Sequence, residues 1–270
     1  MAMSTSKPAS ILEPYIKQYW GIENVLPKGE QYVHRIIPCG LSELMFYFGE
    51  RPLVLDSRKS FNENVVLNGH QKEFFDIQIA NQISLFSIAF QPQGLMKFFN
   101  IPMNEAYNQS IPLKYIDRVL EKELFPRLQD AETFEQRAEI VNSHFTTLLA
   151  KNYANFEFQR VRHIVNTIKS SKGLIGVDSL SSEACLSRKQ FERVFTKHIG
   201  STPKQYLKTV RLQHSLHLKS KDKDKSLTQL AYDCGYYDQS HFINEFKQQT
   251  GYTPKQYFGN YDSYSDFFDG

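Results

Sequence analysis

SRKQFERVFTKHIGSTPKQY (Ser187–Tyr206) and DQSHFINEFKQQTGYTPKQY (Asp238–Tyr257) are two copies of one pattern, and reading them together decides the architecture of the chain. Phe191, Phe195, Gly200, Thr202, Pro203, Lys204, Gln205 and Tyr206 return as Phe242, Phe246, Gly251, Thr253, Pro254, Lys255, Gln256 and Tyr257, each 51 residues later. The repeated positions are those that a packed helix and its stop signal need. Two phenylalanines four apart share one helix face. Glycine accepts the positive φ of a helix end. Thr-Pro is the favoured order of N-cap and first helical residue. The residues between these positions differ, so one scaffold carries two different exposed faces.

A shorter helix signal precedes each copy: VDSLSSEACLS (Val177–Ser187) and SLTQLAYDCGYYD (Ser226–Asp238). Ser226 with Gln229, and Ser187 with Gln190, have the spacing of a capping box. Asp238 is a good N-cap for the second helix of the second copy. Gly235 stops the shorter helix there, and Cys185 stands in its place in the first copy, whose turn is one residue shorter. Helix, tight turn and helix make a helix-turn-helix, whose second helix fits the major groove of DNA. Between the units, residues 201–221 predict one stiff helix with Leu207, Val210 and Leu218 as its apolar stripe. KSKDKDK (Lys219–Lys225) reads as an exposed, charge-alternating loop.

This arrangement resembles the DNA-binding domain of the AraC/XylS family of bacterial transcription regulators, over about Phe158 to Phe258. The second copy carries the more diagnostic pattern, with Leu230, Ala231, Gly235, Asp238, Ser240, Phe242, Phe246, Gly251 and Pro254. Ser181 departs from it, standing where the family usually has alanine. The resemblance implies a pair of units reading two successive major-groove segments on one face of double-stranded DNA. Carried over by position, the first reading helix presents Arg188, Lys189, Glu192 and Arg193, and the second presents Gln239, Ser240, His241 and Asn244. Arginine suits guanine and Asn or Gln suits adenine, while Glu192 either accepts from cytosine N4 or stands as a solvated charge. Lys197, Lys204, Lys208, Arg211, Lys247 and Lys255 suit phosphates, which position without specifying sequence. Phe191, Phe195, Phe242 and Phe246 are expected in the core.

Charge agrees with the motif and is independent of it. Residues 1–150 hold 14 Lys and Arg against 17 Asp and Glu, whereas residues 151–258 hold 18 against 9, a net +9. Basic charge concentrated in the helix-turn-helix segment is what phosphate neutralisation needs. No run of 18 apolar residues and no signal-peptide pattern is present, so neither membrane nor secretion is expected. Cys39, Cys185 and Cys234 are too few and scattered for a disulfide framework, which fits a reducing cytoplasm.

Residues 10–112 have a different texture. The runs QYVHRIIP, ELMFYFG, RPLVLD, NVVLNGH, FFDIQIA and ISLFSIAF alternate with turn residues and predict an antiparallel sheet or small barrel. Residues 93–100 read as a short helix broken at Pro102. A β-rich domain ahead of paired helix-turn-helix units is the order of AraC-type regulators with a cupin-like sensor. Trp20, the turn at residues 37–40, the strand at 44–48 and the stretch from Phe90 to Gly94 resemble a small sensor domain of such proteins. His34 and His70 each stand alone, and His214 with His217 supply only two ligands, so no metal site is expected. No nucleophile elbow, P-loop or dinucleotide fingerprint occurs, so no catalytic residue and no cofactor is expected. Trp20, Tyr32, Tyr47, Phe75 and Phe90 either line an effector pocket or simply fill the barrel.

The expected fold is α+β: a cupin-like sensor domain over residues 1–112, a helical connector over 113–156, the double helix-turn-helix domain over 157–258 and an acidic, aromatic tail over 259–270 for which disorder is the default. Phe134, Ala138, Val141, Phe145 and Leu148 fall at 4, 3, 4, 3 spacing, which serves packing on the chain's own barrel or a homodimer contact, with the former favoured. The expected function is a cytoplasmic, sequence-specific transcription regulator, an activator by resemblance alone, responding to a small-molecule effector or protein partner. RNA polymerase is a further candidate partner. The rivals are a regulator set only by its own abundance, an enzyme with a fused regulatory module, and a protein-interaction adaptor.

Overall fold

The computed structural model describes residues 2–27, 29–55, 62–150 and 156–260. Its first half contains β1 (Ala2–Ser6), β2 (Ile16–Val25), β3 (Gln31–Ile36), β4 (Glu43–Tyr47), β5 (Leu53–Val54), β6 (Val65–Asn68), β7 (Phe75–Ala80), β8 (Gln82–Phe90) and β9 (Ser110–Pro112). These form a six-stranded sheet in the order β1-β2-β8-β4-β6-β9 and a three-stranded sheet in the order β3-β7-β5. Every pairing is antiparallel. Asn81, at φ 54°, turns the chain from the small sheet into the large one, a conformation that asparagine tolerates.

The period of two along a strand assigns the two faces of the large sheet. Tyr19, Leu44, Phe46, Phe86, Ile88 and Phe90 point to one face and are fully buried. They pack against α1 (Met103–Ala106), α2 (Arg118–Asp130) and α3 (Phe134–Ala150). Trp20, Ile22, Met45, Tyr47 and Leu85 point to the other face, toward Ile77 and Ile79 of the small sheet. Ala138, Val141 and Phe145 of α3 lie buried in the chain's own sheet core, with Phe134 packed against it and Leu148 half-buried. Arg137 ties α3 down: it donates to Leu128 O and Ala131 O at the end of α2 and pairs with Glu23 at 2.8 Å.

Two sequence expectations change here. The ten-residue β2 was absent from the strand runs, although it pairs with both β1 and β8; Lys17, Gln18, Glu23 and Asn24 make it too polar for a composition-based reading. The stretch 93–100 holds only a 3₁₀ turn at Leu95–Lys97. The helical connector consists of two helices, α2 and α3, and Asp117 caps the first, accepting from Leu120 N at 2.9 Å. Residues 151–155, at the end of that connector, and 261–270, most of the tail, lie outside the described residues.

The second half is helical: α4 (Phe156–Ser170), α5 (Val177–Glu183), α6 (Arg188–Ile199), α7 (Pro203–Lys221), α8 (Leu227–Asp233), α9 (Gln239–Thr250) and α10 (Pro254–Asn260). It has two cores. One gathers α4, α5, α6 and the first half of α7 around Phe191, Phe195, Tyr206 and Leu207. The other gathers the second half of α7 with α8, α9 and α10 around Leu212, Leu216, Phe242 and Phe246. A side chain such as Phe242, wholly removed from water, contributes about 2–3 kcal/mol. The stripe expected on α7 is therefore corrected. Leu207 is buried, but Val210 and Leu218 are only partly so, and Leu212 and Leu216 carry the second contact. The helix ends at Lys221, where the expected helix ended, so Lys219–Lys221 of the expected charged loop are helical instead.

Candidate nucleic-acid interface and cavity

Local hydrogen bonds position both reading helices. Ser187 and Gln190 form a complete capping box at the start of α6, and Ser226 with Gln229 does the same for α8. Asp238 caps α9, accepting from His241 N at 2.7 Å. Thr202 caps α7 ahead of Pro203. Gly200 and Gly251 end α6 and α9 at φ 95° and 76°. Cys185 and Gly235, in equivalent turns, both take a positive φ, of 53° and 71°. Ser181, buried at the alanine position, is satisfied by donating to Asp178 O at 2.9 Å.

On α6, Arg188, Lys189 and Arg193 are exposed and Glu192 is half-buried. Arg188 pairs with Asp178 at 3.1 Å and with Glu192 at 3.2 Å, both exposed contacts that a stronger anion can displace. On α9, Ser240, His241 and Asn244 are exposed. Gln239 is half-buried and accepts from Thr228 Oγ1 at 2.9 Å, so α8 fixes its orientation. Lys197, Lys204, Lys247 and Lys255 are exposed.

Lys208 and Arg211 require a correction. Both point into the second unit, where Glu245, only 4 % exposed, takes Lys208 Nζ at 3.0 Å and Arg211 Nη2 at 3.0 Å. Tyr236 O–H donates to the same carboxylate at 2.8 Å. Burial pushes the Glu245 carboxyl up, but the charges of Arg211 and Lys208 and the Tyr236 hydroxyl outweigh it and hold it below the usual carboxylate value. These two cations balance an internal charge rather than standing ready for phosphate. The spacing Lys208–Arg211 on one helix face was visible in sequence, but their partner 34 residues beyond Arg211 was not.

The β-rich half grips the second unit at several points, and Arg35 makes the most contacts of them. Arg35 of β3 forms a two-pronged pair with Asp76, both N–O distances 2.7 Å. Its guanidinium lies between the rings of Phe74 and Tyr252, 4.1 and 4.2 Å from their centroids. Nη1 donates to Thr250 O at 3.3 Å, at the negative end of the α9 dipole. Gly251 is required there, because a Cβ would meet Arg35 Nη1 and Phe74 Cζ at 2.5 Å. Ile37 enters the core of the second unit, and Gln213 donates to Pro38 O at 2.8 Å.

A cavity of about 450 Å³ lies between the two sheets, and Arg35, Ile36 and Ile37 form part of its wall. Trp20, Tyr32, Tyr47 and Phe75 border it, with Tyr32 at an exposed rim. Phe90 does not, which corrects the sequence expectation. It sits on the opposite face of β8, against Phe98, Phe99 and Phe145. Strand parity gives the reason: Phe90 shares its face with Phe86 and Ile88, and Leu85 faces the cavity. The same parity exposes a residue that sequence reading missed. Glu43, two and four residues before Met45 and Tyr47, lines the cavity beside them. Trp20 Nε1 donates to Glu43 Oε1 at 2.9 Å. Burial pushes the Glu43 carboxyl up to about 7 against the pull of that hydrogen bond. Burial also pushes His34 below its ordinary value, and drives the Cys39 thiol up to about 12.

Among the described residues, no group of three or more His, Cys, Asp or Glu is placed to hold a metal ion, and no helix is long and apolar enough to cross a membrane.

Residues 180–260 match a family described as a helix-turn-helix domain, and residues 4–112 match a domain of unknown function (DUF6597). The chain is 28% identical over 98 residues to the HTH-type transcriptional activator RhaS of Escherichia fergusonii, covering 36% of this chain and 35% of that protein. It is 36% identical over 81 residues to an uncharacterized HTH-type transcriptional regulator of Haemophilus influenzae, covering 30% and 27%. These matches span about a third of the length of the curated relatives or less. The structure of ToxT from Vibrio cholerae superposes with a TM-score of 0.49 at 12% identity, over 89% of this chain and 98% of that one.

Proposed function

We propose that this chain, whose residues 180–260 form a helix-turn-helix domain of the AraC/XylS type, is a sequence-specific, double-stranded-DNA-binding transcription regulator of the cytoplasm and not an enzyme. One observation carries the reading: two reading helices of the same capped build, α6 and α9, present different exposed polar faces from the most basic part of the chain. Arg188, Lys189 and Arg193 on one, and Ser240, His241 and Asn244 on the other, are the base-contacting set, with Gln239 held in place by Thr228. Glu192 shares the first face, paired with Arg188. Lys197, Lys204, Lys247 and Lys255 serve phosphates. The description of RhaS as an activator supports the same sign of regulation here, with RNA polymerase as the partner that activation needs.

The β-rich half is the sensor in this reading. A regulator set only by its abundance needs no internal cavity, and this one has a cavity whose wall includes the residue that holds α9. An effector shifts an equilibrium only through contacts that differ between two arrangements. Arg35 supplies such a contact, because it belongs to the cavity wall and to the end of the second reading helix at once.

Selection of bound sequences from a random DNA pool tests the reading, with full-length protein beside Arg193→Ala and Asn244→Ala. The expected site has two halves about one helical turn apart. Each variant relaxes a different half, by about 1–3 kcal/mol of discrimination at the affected base. No enrichment at low salt overturns the proposal. Arg35→Ala is expected to leave the selected sequence unchanged and to uncouple it from any cavity ligand; a coupling that survives Arg35→Ala places the link elsewhere.

A further inference from the structure

The cavity is built for a particular charge. Its wall is mostly apolar, with Ile22, Met45, Ile77, Ile79, Ile83 and Leu85 among the contributors. Its size lies in the range of small-molecule sites. The one acidic side chain buried in that wall is Glu43. Its Oε1 accepts from Trp20 Nε1, which points the N–H edge of the indole at the carboxyl group. Tyr32 and Phe75 add two further aromatic rings to the same space.

Nothing in the described wall offers a free positive charge. Arg35 is the only Lys or Arg among the described lining residues, and Asp76, Phe74, Tyr252 and Thr250 O occupy its guanidinium. Burial keeps His34 below its ordinary value and so neutral. An anionic ligand would find no counter-ion in this wall and would keep Glu43 in its neutral form. A neutral ligand would leave the acid with only the indole N–H. A ligand cation would satisfy it, in a wall that also holds the Trp20, Tyr32 and Phe75 rings.

We propose that this cavity takes an apolar small molecule carrying one protonated amine, with Glu43 as its counter-ion and Trp20 as the ring that flanks the ammonium group. Burial holds the empty-site Glu43 near pH 7, so the arriving ammonium draws the group to its carboxylate form. The ion pair then forms in a low-dielectric wall, where it discriminates more strongly than it would in water. This assignment rests on the sensor reading of the β-rich half, and it leaves the DNA-reading claim untouched.

Isothermal titration on the full chain without DNA tests it, using matched triplets on two frames. The aromatic triplet is tryptamine, tryptophol and indole-3-acetate, and the aliphatic one is octylamine, octanol and octanoate. The amine of at least one frame is expected to bind about tenfold or more tighter than its alcohol, a difference of about 1.4 kcal/mol, with the carboxylate weakest. Glu43→Gln keeps an acceptor for the Trp20 N–H and is expected to remove the amine's advantage while leaving the alcohol's affinity within about threefold. The ranking within each triplet is read on the wild-type chain and needs no variant to fold. A carboxylate that binds as well as its amine, an amine unaffected by Glu43→Gln, or no binding by any of the six overturns the proposal. Failure of the DNA selection with the amine preference intact would instead overturn the regulator reading, so the two failures are distinguishable.

Discussion

Val194 of α6 and Glu245 of α9 occupy the same place in two copies of one scaffold, 51 residues apart and both buried. Around them the copies agree closely. Phe191–Phe195 and Phe242–Phe246 both have ring centroids 5.6 Å apart. Yet the first unit puts a hydrocarbon at this position, and the second puts a carboxylate held by Lys208, Arg211 and Tyr236. The first unit is held by packing alone at this point. The second is cross-tied by charge to α7 and α8–α9, and from outside by Arg35. The helix-turn-helix scaffold therefore fixes shape and caps, while what locks each copy to its surroundings is free to differ. Both helices end against the β-rich half, Gly200 of α6 beside Met103 and Gly251 of α9 beside Arg35 and Phe74, but only the second copy adds a charged lock at that end.

The largest effect expected from breaking this comparison comes from Val194→Glu. It buries a carboxylate with none of the partners that Glu245 has, and unfolding by urea should show a loss of about 3–5 kcal/mol. A loss under 1 kcal/mol would mean that the first unit opens easily to water. The reciprocal change, Glu245→Val, strands Lys208 and Arg211, which are 25% and 20% exposed. Their partial access to water reduces the expected loss to about 2–3 kcal/mol, centred on α9 and measurable by hydrogen exchange.

Acid sharpens the same contrast. The folded-state value of Glu245 lies below its unfolded one, so its stabilisation is complete above the ordinary carboxylate value of 4.5 and is lost as pH falls through the lower folded value. Exchange protection of α9 should fall over that window in the wild type and stay flat in Glu245→Val. Glu157, which is held low by a hydrogen bond to His198 in front of the first unit, is more exposed and should give α6 a weaker acid response.

Next in size are the turns. Gly235→Ala forces a Cβ onto a backbone at φ 71° and to 2.4 Å from Leu174 Cδ2, and should cost about 1–2 kcal/mol. Cys185→Gly relieves the equivalent φ of 53° in the first unit and should gain about 0.5–1 kcal/mol in thermal unfolding. Equal effects of opposite sign would show that the turn is one backbone with two residues. The smallest expected change separates shape from charge: Lys204→Ala and Lys255→Ala, at repeat-equivalent exposed positions, should each lower the salt slope of DNA binding by about one. A loss of base preference from either would move that lysine from phosphate to base contact.

The caps, the stops and the phenylalanine pairs were legible in sequence because each is decided within a few residues. Ser187–Gln190 and Ser226–Gln229 form the boxes that their spacing announces. Lys208 and Arg211 were misassigned because an exposed lysine and one facing a buried glutamate look alike along a single helix. Phe90 was misassigned although its parity with Phe86 and Ile88 was readable. Parity tells which residues share a face, but not which face is hollow. Glu43 was readable as the partner of Met45 and Tyr47 on one strand face, yet only an empty space between two sheets gives that face a meaning.

By itself, the sequence determined the two capped helix-turn-helix units, the stiff helix between them, the basic character of that half and the β-rich character of the other. These rest on spacings shorter than a helix and on charge counts, and local hydrogen bonds and sterics act over that range. Only the tertiary structure decided that Arg35 reaches the end of α9, that Glu245 collects two cations from α7, and that Glu43 faces a cavity. Each of these joins segments whose sequence separation carries no periodic signal. The pairing becomes definite when sheet register and core packing bring the partners within a hydrogen bond's length.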